Sequence, residues 1–220
     1  DVLWNGKPGD ERFLDKWVKA SELRHGLAAD YDVDGEIAAR VQALIGSSTG
    51  NFIVVNKYGV HKPYVNSYPG DAPRHKDDRG ISYDGSMSSE TISSEYDAAI
   101  RYNSALFFER LVPGPPAGNS YLVYTSDHGQ TLGIGGSVSH CAQDKAGASV
   151  PLLLITGDER MPRPDTGFKA AHSNVFATLL DLMKVPEAAR SKRYAISLLK
   201  ARAADSTPRT YFSGDLSGQS

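Results

Sequence analysis

Residues 124–140 read YTSDHGQTLGIGGSVSH. An acid and a histidine, Asp127 and His128, stand together directly after the apolar run SYLVYTS (120–126), and His140 follows thirteen residues after the acid. Successive side chains of an extended chain point opposite ways. The pair would therefore diverge unless the strand ends and turns, which Gly129 permits. Even so, it suits two neighbouring metals, or a metal beside a phosphate, better than one tight cage. Carboxylate and imidazole both ligate zinc, copper, iron or manganese, and two metals about 3.5–4 Å apart are a standard device for phosphoryl transfer. The competing reading of an isolated Asp-His is a plain turn.

Working outward, NFIVVN (51–56) and VPLLLIT (150–156) are two more short apolar runs rich in β-branched residues, and both predict strands. Asp34 is a plausible N-cap for the helix GEIAARVQALIG, with Gly46 as its stop. Ser93 or Ser94 can start the helix SEYDAAIRYNSALFFERLV, which PGPPAGN (113–119) ends. SNVFATLLDLMKV (173–185) predicts a last helix stopped by Pro186. The N-terminal stretch is turn-rich and then helical around 10–25, and 61–80 is loop. Strands alternating with helices give an α/β domain with a mostly parallel central sheet flanked by helices. Ligands bind such sheets at the carboxyl ends of the strands. His61 lies just past the first of these strands, and Asp127 and His128 end the second, so the metal-binding side chains fall on one sheet edge.

The remaining candidates divide differently. His140 adjoins Cys141, and cysteine is a strong zinc ligand, but adjacency hinders both from reaching one ion. His172 precedes the last helix and could line the same edge. His25 sits at a helix end, where the dipole favours it; His75 lies in a charged loop. Ser47, Ser48 and Thr49 read as a turn before a strand, not as a nucleophile.

Composition sets the limits. The chain has 220 residues, 40% hydrophobic and 23% charged, with a net charge of −2. That is ordinary globular composition, of a length that suits one domain or one domain with an appendage, and it lacks the basic surplus a nucleic-acid partner calls for. No apolar run approaches the roughly 18–20 residues of a spanning helix. The single cysteine excludes an internal disulfide. An Asp at position 1 and no signal peptide predict a piece of something longer.

Taken together, VNKYGVHKPYVNSYP (55–69), YTSDHGQTLGIGGSVSH and AHSNVFATLLDLMKVPE (171–187) resemble the alkaline phosphatase superfamily in its sulfatase-like branch. The resemblance covers roughly 30–190. It implies an alkaline-phosphatase-like sandwich, with 1–220 as a single sulfatase-like domain. Sulfatases usually carry a Lys where His140 stands; phosphoethanolamine transferases that modify lipid A carry a His. A Lys would be a point charge for a sulfate oxygen, whereas a neutral His can bind zinc.

By this resemblance Asp127 and His128 bind the catalytic zinc, and His61 and His140 bind a second zinc or the substrate phosphate, with His172 nearby. One or two zinc ions are implied, ahead of manganese or calcium. The implied reaction is transfer of phosphoethanolamine from a phospholipid donor to lipid A or another surface glycan, through a phospho-threonine. Sulfatase- or phosphatase-type ester hydrolysis is the alternative, and a degenerate, non-catalytic metal- or glycan-binding fragment is a third. The nucleophilic Thr is expected upstream of this chain, together with a first strand and an N-terminal membrane domain. The implied location is a bacterial inner membrane with the catalytic domain in the periplasm. A sheet edge left by a missing strand is a pairing liability, so a dimer contact or a complementing chain is expected to cover it. GIGGSVSHC replaces the more acidic stretch usual after the family's Asp-His-Gly, with Gln130 where a Glu is frequent.

Overall fold

The computed structural model describes residues 2–4, 16–47, 49–70, 88–132, 138–139 and 145–207. His75, His140 and Cys141 lie outside the described residues. The chain forms two compact units, the first built from Asp1–Gly114 with Leu132–Val138 and the second from Pro115–Thr131 with Ser139–Ser220. No helix among the described residues is long and apolar enough to cross a membrane.

The first unit contains a three-stranded parallel sheet, β1 (Val2–Trp4), β2 (Trp17–Val18) and β3 (Val54–Asn56), in the order β2-β1-β3. Where the sequence predicts helix from about residue 10, β2 occupies 17–18, and the helix α1 spans only Ala20–Arg24. Next comes α2 (Val33–Ser47), which buries Val33, Ile37 and Val41 at four-residue intervals together with Asp34 and Ala38. That is the inward stripe of an amphipathic helix, and full burial of each aliphatic side chain contributes about 1.5–3 kcal/mol. Asp34 is not the N-cap. It lies inside the first turn, 2% exposed.

Helix α3 (Ser89–Ile100) starts earlier than 93, because the Ser88 hydroxyl accepts the Thr91 N–H at 3.1 Å and caps it. It continues through a π turn, Arg101–Ala105, into α4 (Leu106–Leu111). Gln42 of α2 donates to the Leu111 carbonyl at 2.7 Å, satisfying one of the orphan acceptors at that helix end. A second cluster, Tyr64, Tyr68, Ile92 and Ala99, packs the loop after β3 against α3.

The second unit contains β4 (Tyr121–Thr125), α5 (Lys145–Ala148), β7 (Leu152–Thr156) and α6 (His172–Leu182). Two-residue strands β5 (Thr131–Leu132) and β6 (Val138–Ser139) form a separate two-stranded pair. β4 and β7 pair antiparallel, with Tyr121 opposite Thr156 and Thr125 opposite Leu152. The parallel pairing therefore belongs to the first unit's sheet. α6 buries Asn174, Ala177 and Thr178. The Thr178 hydroxyl donates to Asn174 O at 2.7 Å and accepts the Leu198 N–H at 2.9 Å, which ties the segment after the helix to its buried face.

At the far end of α6, Asp181 meets Arg190 and, at 3.1 Å, Lys200. Burial pushes its carboxyl up, but bonds from Ser197, Arg190 and Lys200 outweigh this and hold it below the ordinary carboxylate value. A depressed carboxylate contributes stability above its unfolded pKa, about 3.9, and loses it as pH falls through the folded value. The urea midpoint should therefore decline below about pH 4, and Asp181→Asn should flatten that part of the profile. Parallel profiles for the two proteins would assign the acid sensitivity to other groups.

Candidate metal centre

In the second unit, β4 ends at Thr125 and the chain folds back over the next four residues. The Ser126 hydroxyl donates to the His128 carbonyl at 2.9 Å and to Asp127 Oδ1 at 3.3 Å. The His128 N–H donates to Asp127 Oδ1 at 3.0 Å. These local bonds hold the fold-back, which removes the strand alternation that would drive the two side chains apart. Asp127 Oδ2 and His128 Nε2 come to 3.7 Å. The carboxylate is 86% exposed and the imidazole 45%.

Two details prepare this pair for a cation. His128 Nδ1 lies 2.8 Å from the Gly129 carbonyl, which can only accept. Nδ1 therefore carries a proton, so in the neutral ring the imidazole lone pair is on Nε2, beside the carboxylate. A second hydrogen-bond partner of this kind is what sets the tautomer of a metal-binding histidine. Donors about 2.0–2.1 Å from one tetrahedral zinc stand roughly 3.3 Å from each other, close to the observed separation. The pair thus fits two positions on one ion. Among the described residues no group of three or more His, Cys, Asp and Glu side chains is gathered for a metal.

Gly129 has a different reason to be glycine than the turn alone. Its N–H donates to the Gly147 carbonyl at 2.8 Å, and a Cβ there would strike the carbonyl oxygens of Ala146 and Ser149. The turn after His128 is pressed against the α5 backbone, which no side chain would allow. His172, at the first position of α6, points its Nε2 at the Ser126 carbonyl, 2.7 Å away, and at Thr125 Oγ1, 3.3 Å away. His172 therefore meets the backbone at the end of β4, next to the Asp127–His128 pair in sequence and not as a third member of it.

His61 belongs to the first unit, in the loop after β3, and is exposed, with its ring tilted against Tyr58 at 5.1 Å. Its loop is tied down at both ends. Upstream, the Asp34 carboxylate accepts the N–H groups of Tyr58 at 2.7 Å and Gly59 at 3.0 Å, and faces Lys57 Nζ at 3.5 Å. Gly59 has a φ of 71°, a left-handed conformation that glycine adopts without penalty. Lys57 is 11% exposed; it also reaches the Asn103 carbonyl at 3.4 Å and lies 4.4 Å over the Phe107 ring. Burial pulls its ammonium below the ordinary lysine value, and Asp34 opposes the shift.

Downstream, the Ser67 hydroxyl donates to the His61 carbonyl at 3.3 Å, Asn103 donates to the Ser67 carbonyl, and the Tyr68 hydroxyl donates to buried Glu95. The π turn is what delivers Asn103; such turns often occur at functional sites. The sequence reading missed Asp34, Lys57, Glu95 and Asn103 as supports. The available signal was a charged residue, Lys57, directly after an apolar strand, and an Asn in the interior of a helical stripe.

The chain is similar in fold to the C-terminal periplasmic domain of the phosphoethanolamine transferase EptC from Campylobacter jejuni, with a TM-score of 0.65 and 24% identity. The match covers 90% of this chain and 66% of that one, so the chain spans just under two thirds of that domain. No curated protein matches it. The family model for Sulfatase matches residues 6–185, which takes in the His61 loop, the Asp127–His128 turn and α6. With the α/β order, the Asp-His pair closing β4 and that match over most of its length, the chain belongs to the sulfatase family, with its alkaline-phosphatase-like fold.

Proposed function

We propose that this chain is the metal-binding part of a phosphoethanolamine transferase. Membership of the sulfatase family supports ester hydrolysis or phosphoryl transfer as the kind of chemistry. The observation that carries the metal reading is the convergence of Asp127 Oδ2 and His128 Nε2 at 3.7 Å. Asp127 and His128 would hold a catalytic zinc, and His61 and His140 a second zinc or the phosphate of the substrate. Zinc would neutralise charge on the transferred group and lower the pKa of the nucleophile. Three histidines to one carboxylate favour zinc over manganese or calcium.

In this reading the nucleophilic threonine lies in a segment preceding residue 1, along with the membrane anchor. The domain works in the periplasm of a bacterial inner membrane, taking phosphoethanolamine from a phospholipid and passing it to lipid A or a similar glycan. His140 at thirteen residues past Asp127 favours this over sulfatase-type hydrolysis, because a neutral imidazole suits a metal where a lysine suits a sulfate oxygen.

The test uses zinc-loaded protein, fluorescent phosphatidylethanolamine and lipid A. Headgroup transfer is expected from protein carrying the preceding segment, and none from residues 1–220 alone. Release of nitrophenol from nitrophenyl sulfate or phosphate by residues 1–220 alone, without transfer, would overturn the transferase reading in favour of a hydrolase.

A further inference from the structure

We infer that His172 is a positioning residue for the Asp127–His128 pair, acting through the Ser126 peptide; this rests on the metal reading above. The Ser126 carbonyl is only an acceptor, so the 2.7 Å contact requires a proton on His172 Nε2, donated to that oxygen. The peptide unit is planar. The Ser126 oxygen and the Asp127 nitrogen therefore belong to one rigid plate, and fixing the oxygen fixes the plate from which Asp127 departs. With Nε2 protonated, the Thr125 hydroxyl beside it at 3.3 Å donates instead to the same Ser126 carbonyl, also at 3.3 Å.

The other bonds of the turn are local. Ser126 Oγ, Asp127 Oδ1 and His128 Nδ1 all bond within two residues of themselves. Bonds of that kind can re-form in several loop conformations at little cost. Two contacts bring in distant chain: His172 on the Ser126 carbonyl, before the pair, and the Gly147 carbonyl on the Gly129 N–H, after it. The pair is bracketed between them.

His172 is itself well placed to act as a post. The Ala171 N–H donates to Asn174 Oδ1 at 2.8 Å, and Asn174, 5% exposed, donates onward to the Ile196 carbonyl at 2.9 Å. The start of α6 is thus locked to the segment that follows the helix, and the imidazole extends from a fixed backbone. Preorganised donors of this type matter because a metal site held an ångström too loosely loses affinity without losing its ligands.

The test compares residues 1–220 with His172→Ala, His172→Gln and Asp127→Ala. Glutamine keeps an N–H donor at the end of a side chain of similar length. Zinc affinity is read by competition with a chromophoric chelator, and amide hydrogen exchange of the 125–129 region is read on the metal-free proteins. His172→Ala is expected to weaken zinc binding by about 10–100-fold, as loss of an outer partner does. It should speed exchange at 125–129 and leave the global urea midpoint in place, and His172→Gln should recover most of both losses.

Wild-type zinc affinity in His172→Ala overturns the inference, as does an affinity loss matched by a loss of global stability. Glutamine as poor as alanine would make the ring itself a ligand and overturns the positioning role. Zinc affinity that Asp127→Ala leaves intact, or no zinc uptake by the wild-type chain, sinks the metal reading itself and the inference with it.

Discussion

Replacing Asp34 by alanine should cost about 3–5 kcal/mol, the penalty for stranding the partner of a buried ion pair. Three groups lose their acceptor at once: the N–H groups of Tyr58 and Gly59 and the ammonium of Lys57. Lys57 is 11% exposed and Asp34 2%, so water cannot take over the role of the carboxylate. Burial already disfavours the charged lysine, and Asp34 is the charge that opposes this. In a chain of this length the loss corresponds to a fall in Tm on the order of 10 °C. The control is the double substitution Asp34→Leu with Lys57→Met. Replacing both members of a buried pair by apolar groups is often close to neutral, so the double variant should be more stable than Asp34→Ala despite its two changes. Urea unfolding of the metal-free chain settles it. A cost below about 1 kcal/mol, the range of an exposed pair, would mean that the carboxylate is not holding the loop.

Asp127→Ala should have the opposite profile. Its carboxylate is 86% exposed, and exposed substitutions away from special features usually change stability by less than about 0.5 kcal/mol. Zinc binding, in contrast, should fall by more than about 100-fold, since outer-partner losses alone reach that figure. Zinc at 100 times its dissociation constant stabilises a folded protein by about 2.7 kcal/mol. The wild-type chain should therefore melt later with zinc, and Asp127→Ala should not. His128→Ala should behave alike, and His140→Ala should weaken only a second, looser site. If all three variants keep wild-type zinc content by elemental mass spectrometry, the ligand assignment is wrong. Asp34 and Asp127 thus separate two jobs a carboxylate can do: one, buried, holds a loop in place, and the other, exposed, offers its charge to a metal.

Much of the fold was legible because it rests on local pattern. The apolar runs that became β3, β4 and β7, and the helical stripes of α2 and α6, need only the period of the residues themselves. The Asp-His pair at the end of β4 was legible for the same reason. What stayed hidden was nonlocal or shared between readings. An acid ahead of an apolar helical stripe looks identical whether it caps that helix or reaches a loop 24 residues on, and Asp34 does the second. Gly129 signals a turn in the sequence, yet the approach of Ala146 and Ser149 is what demands it. Two residues cannot display a period, so Trp17–Val18 could not announce a strand. Nor does a strand's composition reveal the direction of its partner, and β4 with β7 pair antiparallel. His172 bonds a carbonyl 46 residues away, which no local rule anticipates.

The loop that carries His61 has little repetitive structure, only the turn Tyr64–Ser67. Its ties run to α2 through Asp34, to α3 through Glu95, and to the π turn through Asn103. No one helix can let go of it alone. For a protease or for an inserted residue, such a segment behaves as core. Among the described residues, the largely exposed PGPPAGN stretch at 113–119 is a better place for a cut or an added epitope. A length change between Lys57 and Tyr68 would have to break three attachments before it could be absorbed.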